Sequence, residues 1–176
     1  FGYSVRKAGD FNNDGYADIV IGAFRSNFAG INTGSAYVVF GDAARATPTF
    51  VNALENMIRF DGNPSGQQPR LGFAVGHAGH FDNDPYSDII ISAPFESSPT
   101  GTRAVGYSFV IFGKPNFPSI TNVNALGSDA FKLYGREAYA GLGYSVVGGD
   151  DINGDGFDDV VLGEHYSFLR PDGERD

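Results

Sequence analysis

At 176 residues the chain is long enough to bury a sizeable core, and its formal net charge of -9 argues against nucleic acid or an anionic membrane surface as a partner, because either would need a basic patch. It contains no cysteine, which excludes a disulfide framework and a thiolate zinc site. No run of about 18 apolar residues is present to span a bilayer, and the opening Phe1-Gly2-Tyr3-Ser4 lacks the charged and apolar regions of a signal peptide, so any targeting signal is expected outside this stretch.

The first unit opens on that apolar-Gly-aromatic-small head and continues as a short strand to a glycine. An acidic loop follows, Asp10 to Asp18, reading D-F-N-N-D-G-Y-A-D. Directly after it, Ile19-Val20-Ile21 is too short and too β-branched for a helix and predicts a buried strand. Gly22-Ala23 marks a bend, residues 24–33 form a polar connection, and 34–41 (G-S-A-Y-V-V-F-G) predict a third strand. Residues 43–56 carry room for one helical turn, and 57–60 predict a fourth strand closing on Asp61-Gly62.

The same punctuation then repeats. Leu71-Gly72-Phe73-Ala74 heads a second unit, with a loop from His80 to Asp88, a strand at Ile89-Ile90-Ile91, a bend at Ser92-Ala93-Pro94, a connection over 95–105, a third strand over 106–113, a helical turn in 122–126 and a fourth strand over 130–133. Leu142-Gly143-Tyr144-Ser145 heads a third, with a loop from Asp151 to Asp159 and a strand at Val160-Val161-Leu162. From Asp10 to His80 is 70 residues and from His80 to Asp151 is 71, a fixed period that signals a repeat architecture. The units run over about 1–70, 71–141 and 142–176, the last truncated. Four strands per unit is the count of a propeller blade, so the chain is expected to be all-β, about two and a half blades of a β-propeller. Blades stack to bury one another's faces, so a piece of this size points to a fragment of a longer ring.

The loops carry the chemistry. Asp10, Asn12, Asp14 and Asp18 place side-chain oxygens at positions 1, 3, 5 and 9, Tyr16 offers its carbonyl, and Gly15 permits a sharp reversal between them. Calcium takes six to eight oxygens at about 2.3–2.6 Å, and alternate oxygen-bearing residues wrapped round a glycine suit it. Asp151, Asn153, Asp155, Phe157 and Asp159 repeat the set with Gly156 at the turn. A single D-x-N-x-D-G is equally a surface turn; two copies with the same flanking strands favour calcium. Without a cation the clustered carboxylates would repel one another. An EF-hand is excluded because its twelfth position should be Glu, and here it is Ile21 and Leu162. The middle loop has His80 at position 1 and Pro85 at the turn. Imidazole is a poor partner for an oxygen-selecting ion and proline holds φ near -65°. Asp82, Asp84, Tyr86 and Asp88 are left there as a degenerate third site.

Phe1-Gly2, the Asp10–Asp18 loop and Ile21-Gly22-Ala23, with Ile91-Ser92-Ala93-Pro94 in the second unit, resemble the FG-GAP repeats of the integrin α-subunit β-propeller and its bacterial secreted relatives. The resemblance implies a seven-bladed propeller, calcium in the hairpin loops between the first two strands of a blade, and ligand contact on the opposite face, here residues 24–33, 63–70, 95–105 and 136–140. Where the family would have Ala-Pro, the third unit has Glu164-His165.

No nucleophile with an activating base can be assembled from the sequence. The G-Y-S-V heads lack the second glycine of a G-x-S-x-G elbow, so Ser4 and Ser145 are expected to bond backbone, and His77, His80 and His165 to lie in loops or at the surface. The expected function is a non-enzymatic, calcium-stabilised, extracellular or cell-surface segment for adhesion or protein recognition. Its partner would be a protein ligand or neighbouring blades, with neither nucleic acid nor membrane insertion. Two alternatives stand beside it: the accessory propeller of a secreted enzyme such as a phospholipase, and a structural spacer in a large secreted repeat protein.

Overall fold

The structure, a computed structural model, describes residues 1–43, 56–64 and 68–165. Within them the chain is a partial β-propeller of the integrin α type. In the first unit β1 (Ser4–Gly9), β2 (Asp18–Ala23), β3 (Ser35–Val39) and β4 (Met57–Asp61) form an antiparallel meander. In the second, β5 (Val75–Gly79), β6 (Asp88–Ala93) and β7 (Tyr107–Ile111) run in order and β9 (Ala130–Tyr134) pairs with β7. The third shows the hairpin of β10 (Ser145–Asp150) and β11 (Asp159–Gly163). The helical turn expected over 43–56 falls almost wholly outside the described residues. The other, over 122–126, is a 3₁₀ turn at Val123–Ala125 whose first N–H groups are capped by Asn122, its Oδ1 accepting from the Asn124 N–H at 2.9 Å.

One strand escapes the four-per-unit pattern. β8 (Ile120–Asn122) leaves the second unit and adds in parallel to β4, pairing Arg59 with Ile120 and Asp61 with Asn122, so the first sheet has five strands in the order β1-β2-β3-β4-β8. Three residues without alternation give no periodic signal.

The β-branched runs are strands for the expected reason. Every residue of β6 is buried, as befits a strand flanked by β5 and β7 with both faces covered. The first strands of successive units pack on one another, β1 against β5 and β5 against β10. A single apolar cluster therefore crosses the unit boundary, joining Phe11, Val20 and Phe60 of the first unit to Ile89, Tyr107 and Phe109 of the second. The aromatic heads meet in the same way, Tyr3 lying 5.4 Å from Phe73 and Phe73 4.9 Å from Tyr144. Ser4 joins the boundary too, its Oγ accepting from the Val75 N–H at 3.3 Å.

His77 departs from the loop-or-surface expectation, while His165 is exposed in the bend after β11. His77 sits on β5 with a buried Nε2 that has no hydrogen-bond partner, because Gly9 and Gly149 of the adjacent units leave space only for its ring. His165 stacks on Tyr144 with centroids 4.1 Å apart, so the third unit ends its strand on an aromatic pair where the family has Ala-Pro. Among the described residues no helix is long and apolar enough to cross a membrane.

Candidate functional site

Each hairpin between the first two strands of a unit ends in the same irregularity. Register slips between Lys7 and Gly9, between His77 and Gly79, and between Gly148 and Asp150. This bulge re-aims the chain into the acidic loop.

In the first loop the carboxylates turn inward. Asp10 accepts from the Asp14 N–H at 2.9 Å through Oδ1 and from the Gly15 N–H at 2.8 Å through Oδ2. Asn12 Oδ1 accepts from Asp14 N–H and Asp14 Oδ1 from Tyr16 N–H. Asp18 closes the loop, taking the Phe11 N–H at 2.8 Å and the Gly41 N–H at 2.7 Å. The third loop repeats the scheme: Asp151 accepts from Asp155 at 3.1 Å and Gly156 at 2.8 Å, Asn153 from Asp155, Asp155 from Phe157, and Asp159 from Ile152. Positive φ falls at positions 4 and 6 in both, at Asn13 and Gly15 and at Gly154 and Gly156. In the first loop each of these oxygens keeps a lone pair beyond the one N–H it accepts, whereas in the third Asp151 Oδ1 and Asp159 Oδ2 each accept two; the donor set present in both loops, carboxylates with one amide, is of the kind a hard cation takes.

The middle loop shares part of this. Asp82 accepts from Asp84 N–H, Asp84 from Tyr86 N–H, and Asp88 from Phe81 and Gly113 N–H. Carboxylate oxygens of Asp82, Asp84 and Asp88 lie within 4.8 Å of one another. The difference lies at positions 1 and 6. Pro85 has no N–H to offer, and His80 cannot play the part of Asp10. Instead His80 Nδ1 lies 3.1 Å from the Asp84 carbonyl and 2.9 Å from the Tyr86 carbonyl. A carbonyl only accepts, so Nδ1 carries the proton and donates to both. The loop's position-7 oxygen is thereby turned to a side chain of its own loop, and His80 and Pro85 fit a cation poorly.

Burial and crowding shape the acids. Asp88 is pushed up to about 6, first by desolvation and then by Asp82 and Asp84 against the N–H groups of Gly113 and Phe81. Asp18 is raised by its burial, opposed by the Gly41 and Phe11 N–H groups and reinforced by Asp14 and Asp10. Asp151, fully exposed, is lowered chiefly by the Gly156 N–H.

The loops also join the units, through position-8 residues that no motif singled out. The Asp10 N–H donates to Ser87 Oγ at 3.2 Å while the Ser87 N–H donates to the Asp10 carbonyl at 3.1 Å. One unit further on, the His80 N–H donates to Asp158 Oδ2 at 2.8 Å. Position 8 of one loop thus caps position 1 of the loop before it.

At the other end of the strands the connections β2–β3, β6–β7 and β4–β5 come together. Between the first two units they enclose a cleft of about 710 Å³, into which Arg70 and Arg103 project with Phe95 and Tyr139. These residues lie in the loops at 63–70, 95–105 and 136–140.

Comparison with known proteins adds the lineage. Residues 1–39 and 142–174 match the model of the FG-GAP repeat family. The chain is 31% identical over 173 residues to integrin alpha-5 of Xenopus laevis, 29% over 163 residues to integrin alpha-PS3 of Drosophila melanogaster and 29% over 164 residues to integrin alpha-6 of Homo sapiens. Each match covers 93% of this chain, but only 14%, 13% and 12% of the respective relative.

Proposed function

The chain is an FG-GAP repeat protein of the integrin-α-like kind, and from that premise we propose that it is a calcium-binding segment of an extracellular β-propeller serving adhesion or protein recognition, without catalysis of its own. Its units are taken as residues about 1–70, 71–141 and 142 onward. Calcium would be held by Asp10, Asn12, Asp14, the Tyr16 carbonyl and Asp18, and by Asp151, Asn153, Asp155, the Phe157 carbonyl and Asp159. What the ion would supply is charge, offsetting in the first loop the repulsion that Asp14 and Asp10 exert on Asp18.

The observation that carries this reading is the likeness of the two loops. Asp10 and Asp151 accept the N–H groups of the same two loop positions, 5 and 6, and positive φ recurs at the same two places. A decorative turn has no need to be repeated across 141 residues, and at position 1 the loops differ only in that Asp151 also accepts the Gly154 N–H. The middle loop is assigned a different solution, in which the His80 N–H stands where an ion would and holds the carbonyls of Asp84 and Tyr86.

The test is a melting curve with and without chelator. A ligand at a hundred times its dissociation constant adds about 2.7 kcal/mol per site, which in a chain of this size is a Tm shift of about 5–10 °C. Chelation is expected to lower Tm by that order, and Asp14→Ala with Asp155→Ala to abolish most of the response. A melting temperature indifferent to chelator would refute the assignment.

A further inference from the structure

The cleft between the first two units contains an arginine where the next unit has a glycine. Unit offsets set Arg70 opposite Gly141, and the two make the same contact: the Arg70 N–H donates to the Asn32 carbonyl, and the Gly141 N–H to the equivalent Ala104 carbonyl. Both take a left-handed backbone, φ 59° at Arg70 and 64° at Gly141. That conformation belongs to the repeat, and glycine adopts it freely whereas a residue with a Cβ is strained there by roughly 1 kcal/mol.

The side chain has a defined place. Its guanidinium carbon lies 4.3 Å from the centroid of Phe95, which fixes the plane of the fork. Arg103 lines the same cleft from the next unit, and Tyr139, 51% exposed, stands beside it. Among the described residues neither arginine enters an ion pair. Two unpaired guanidinia in one cleft of a chain with net charge -9 are a local reversal of sign, and paired forks of this kind match carboxylates bidentately. The cleft's volume of about 710 Å³ suits several residues of an extended chain.

We propose that this cleft binds an acidic peptide segment of a partner protein, with Arg70 and Arg103 gripping its carboxylates and Phe95 and Tyr139 flanking them. This rests on the recognition reading above and names the chemistry of the partner.

The experiment pans a randomised peptide library on the calcium-loaded chain, then measures a selected peptide by fluorescence polarisation. Aspartate and glutamate are expected to be enriched over the input library. The selected peptide should bind at least about tenfold more tightly than its Asn/Gln counterpart, and about tenfold more tightly to the natural chain than to Arg70→Gly with Arg103→Gln. Binding should weaken as salt rises. Arg70→Gly alone should melt no lower than the natural chain, so its loss of binding cannot be ascribed to misfolding. Enrichment of neutral or basic sequences, or an acidic peptide that both arginine variants hold equally well, overturns the acidic-partner inference and leaves the recognition reading standing. No enrichment of any sequence on the folded, calcium-loaded chain overturns both.

Discussion

At the scale of single residues, the middle loop exchanges two positions together. In the intact loops the position-1 aspartate is useful because position 6 has an N–H to give it, Gly15 to Asp10 and Gly156 to Asp151. Once position 6 is Pro85 that donor is gone, and an aspartate at position 80 would lose one of its two loop partners. His80 reverses the polarity, donating to the carbonyls of Asp84 and Tyr86 where Asp10 accepts. The sequence makes His80 legible as a poor calcium ligand but not as a donor, since the contact depends on how the ring folds back over the loop. Restoring one position alone is therefore expected to fail. His80→Asp should leave the calcium stoichiometry unchanged and destabilise the chain by about 1–3 kcal/mol, adding a carboxylate among Asp82, Asp84 and Asp88 with no N–H from position 6. His80→Asp with Pro85→Gly should gain one further equivalent of calcium in isothermal titration calorimetry. A double variant with the natural stoichiometry would show that His80 is not what keeps the ion out.

At the scale of the element, the two complete sheets place a buried charge differently on the same scaffold. In the first unit Ser26 Oγ meets Ser35 Oγ at 2.6 Å, Ser35 donates to Asp61 at 2.7 Å, and Arg59 pairs with Asp61 at 2.9 Å. In the second, the backbone equivalents of these four are Glu96, Tyr107, Tyr134 and Lys132, so the acid has moved from strand to connection. Glu96 is 3% exposed, accepts from Asn63 Nδ2 at 3.1 Å through one oxygen, and has no partner for the other. Its burial raises its pKa, against the Asn63 bond and the Lys132 charge. A folded value above the unfolded one means that its contribution to stability is complete below the unfolded pKa and is lost as pH rises through the folded one. Glu96→Gln, which keeps an oxygen for Asn63, is expected to match the natural chain near pH 4 and to melt about 2–4 °C higher at pH 8, the shift that ~1 kcal/mol gives at this length. Parallel Tm profiles across that range would contradict it. None of this was readable in the strand patterns. The β-branched runs and acidic loops are local signals, written within a few residues of where they act. The Asn63–Glu96 bond spans 33 residues, and the Asn122 side chain reaches the Gly62 carbonyl across 60 to seat β8, so neither leaves a trace in periodicity.

At the scale of the molecule, the units hold together through what their loops and bulges leave out. The repeat was legible because its period is fixed, but the sequence gives no sign that Ser87 and Asp158 reach back to the preceding loop, since their partners lie 77 and 78 residues away. Their approach requires glycine at the bulge. Gly9 has φ 73° and a Cβ there would strike Ser87, just as one at Gly79, φ 74°, would strike Asp158. Two separate penalties are combined at Gly9, the left-handed backbone and the collision between units, and Gly101 separates them, having φ 90° with open space around it. Gly101→Ala is expected to cost about 1 kcal/mol from backbone strain alone. Gly9→Ala should cost about 2–4 kcal/mol, because overpacking a boundary without slack adds to the strain, and pairing it with Ser87→Gly should recover part of the excess in a double-mutant cycle. Urea unfolding with a common m-value measures all three. Equal losses at Gly9 and Gly101 would mean that the boundary yields without cost, and that the units are joined by their apolar cluster and not by the fit of loop to bulge.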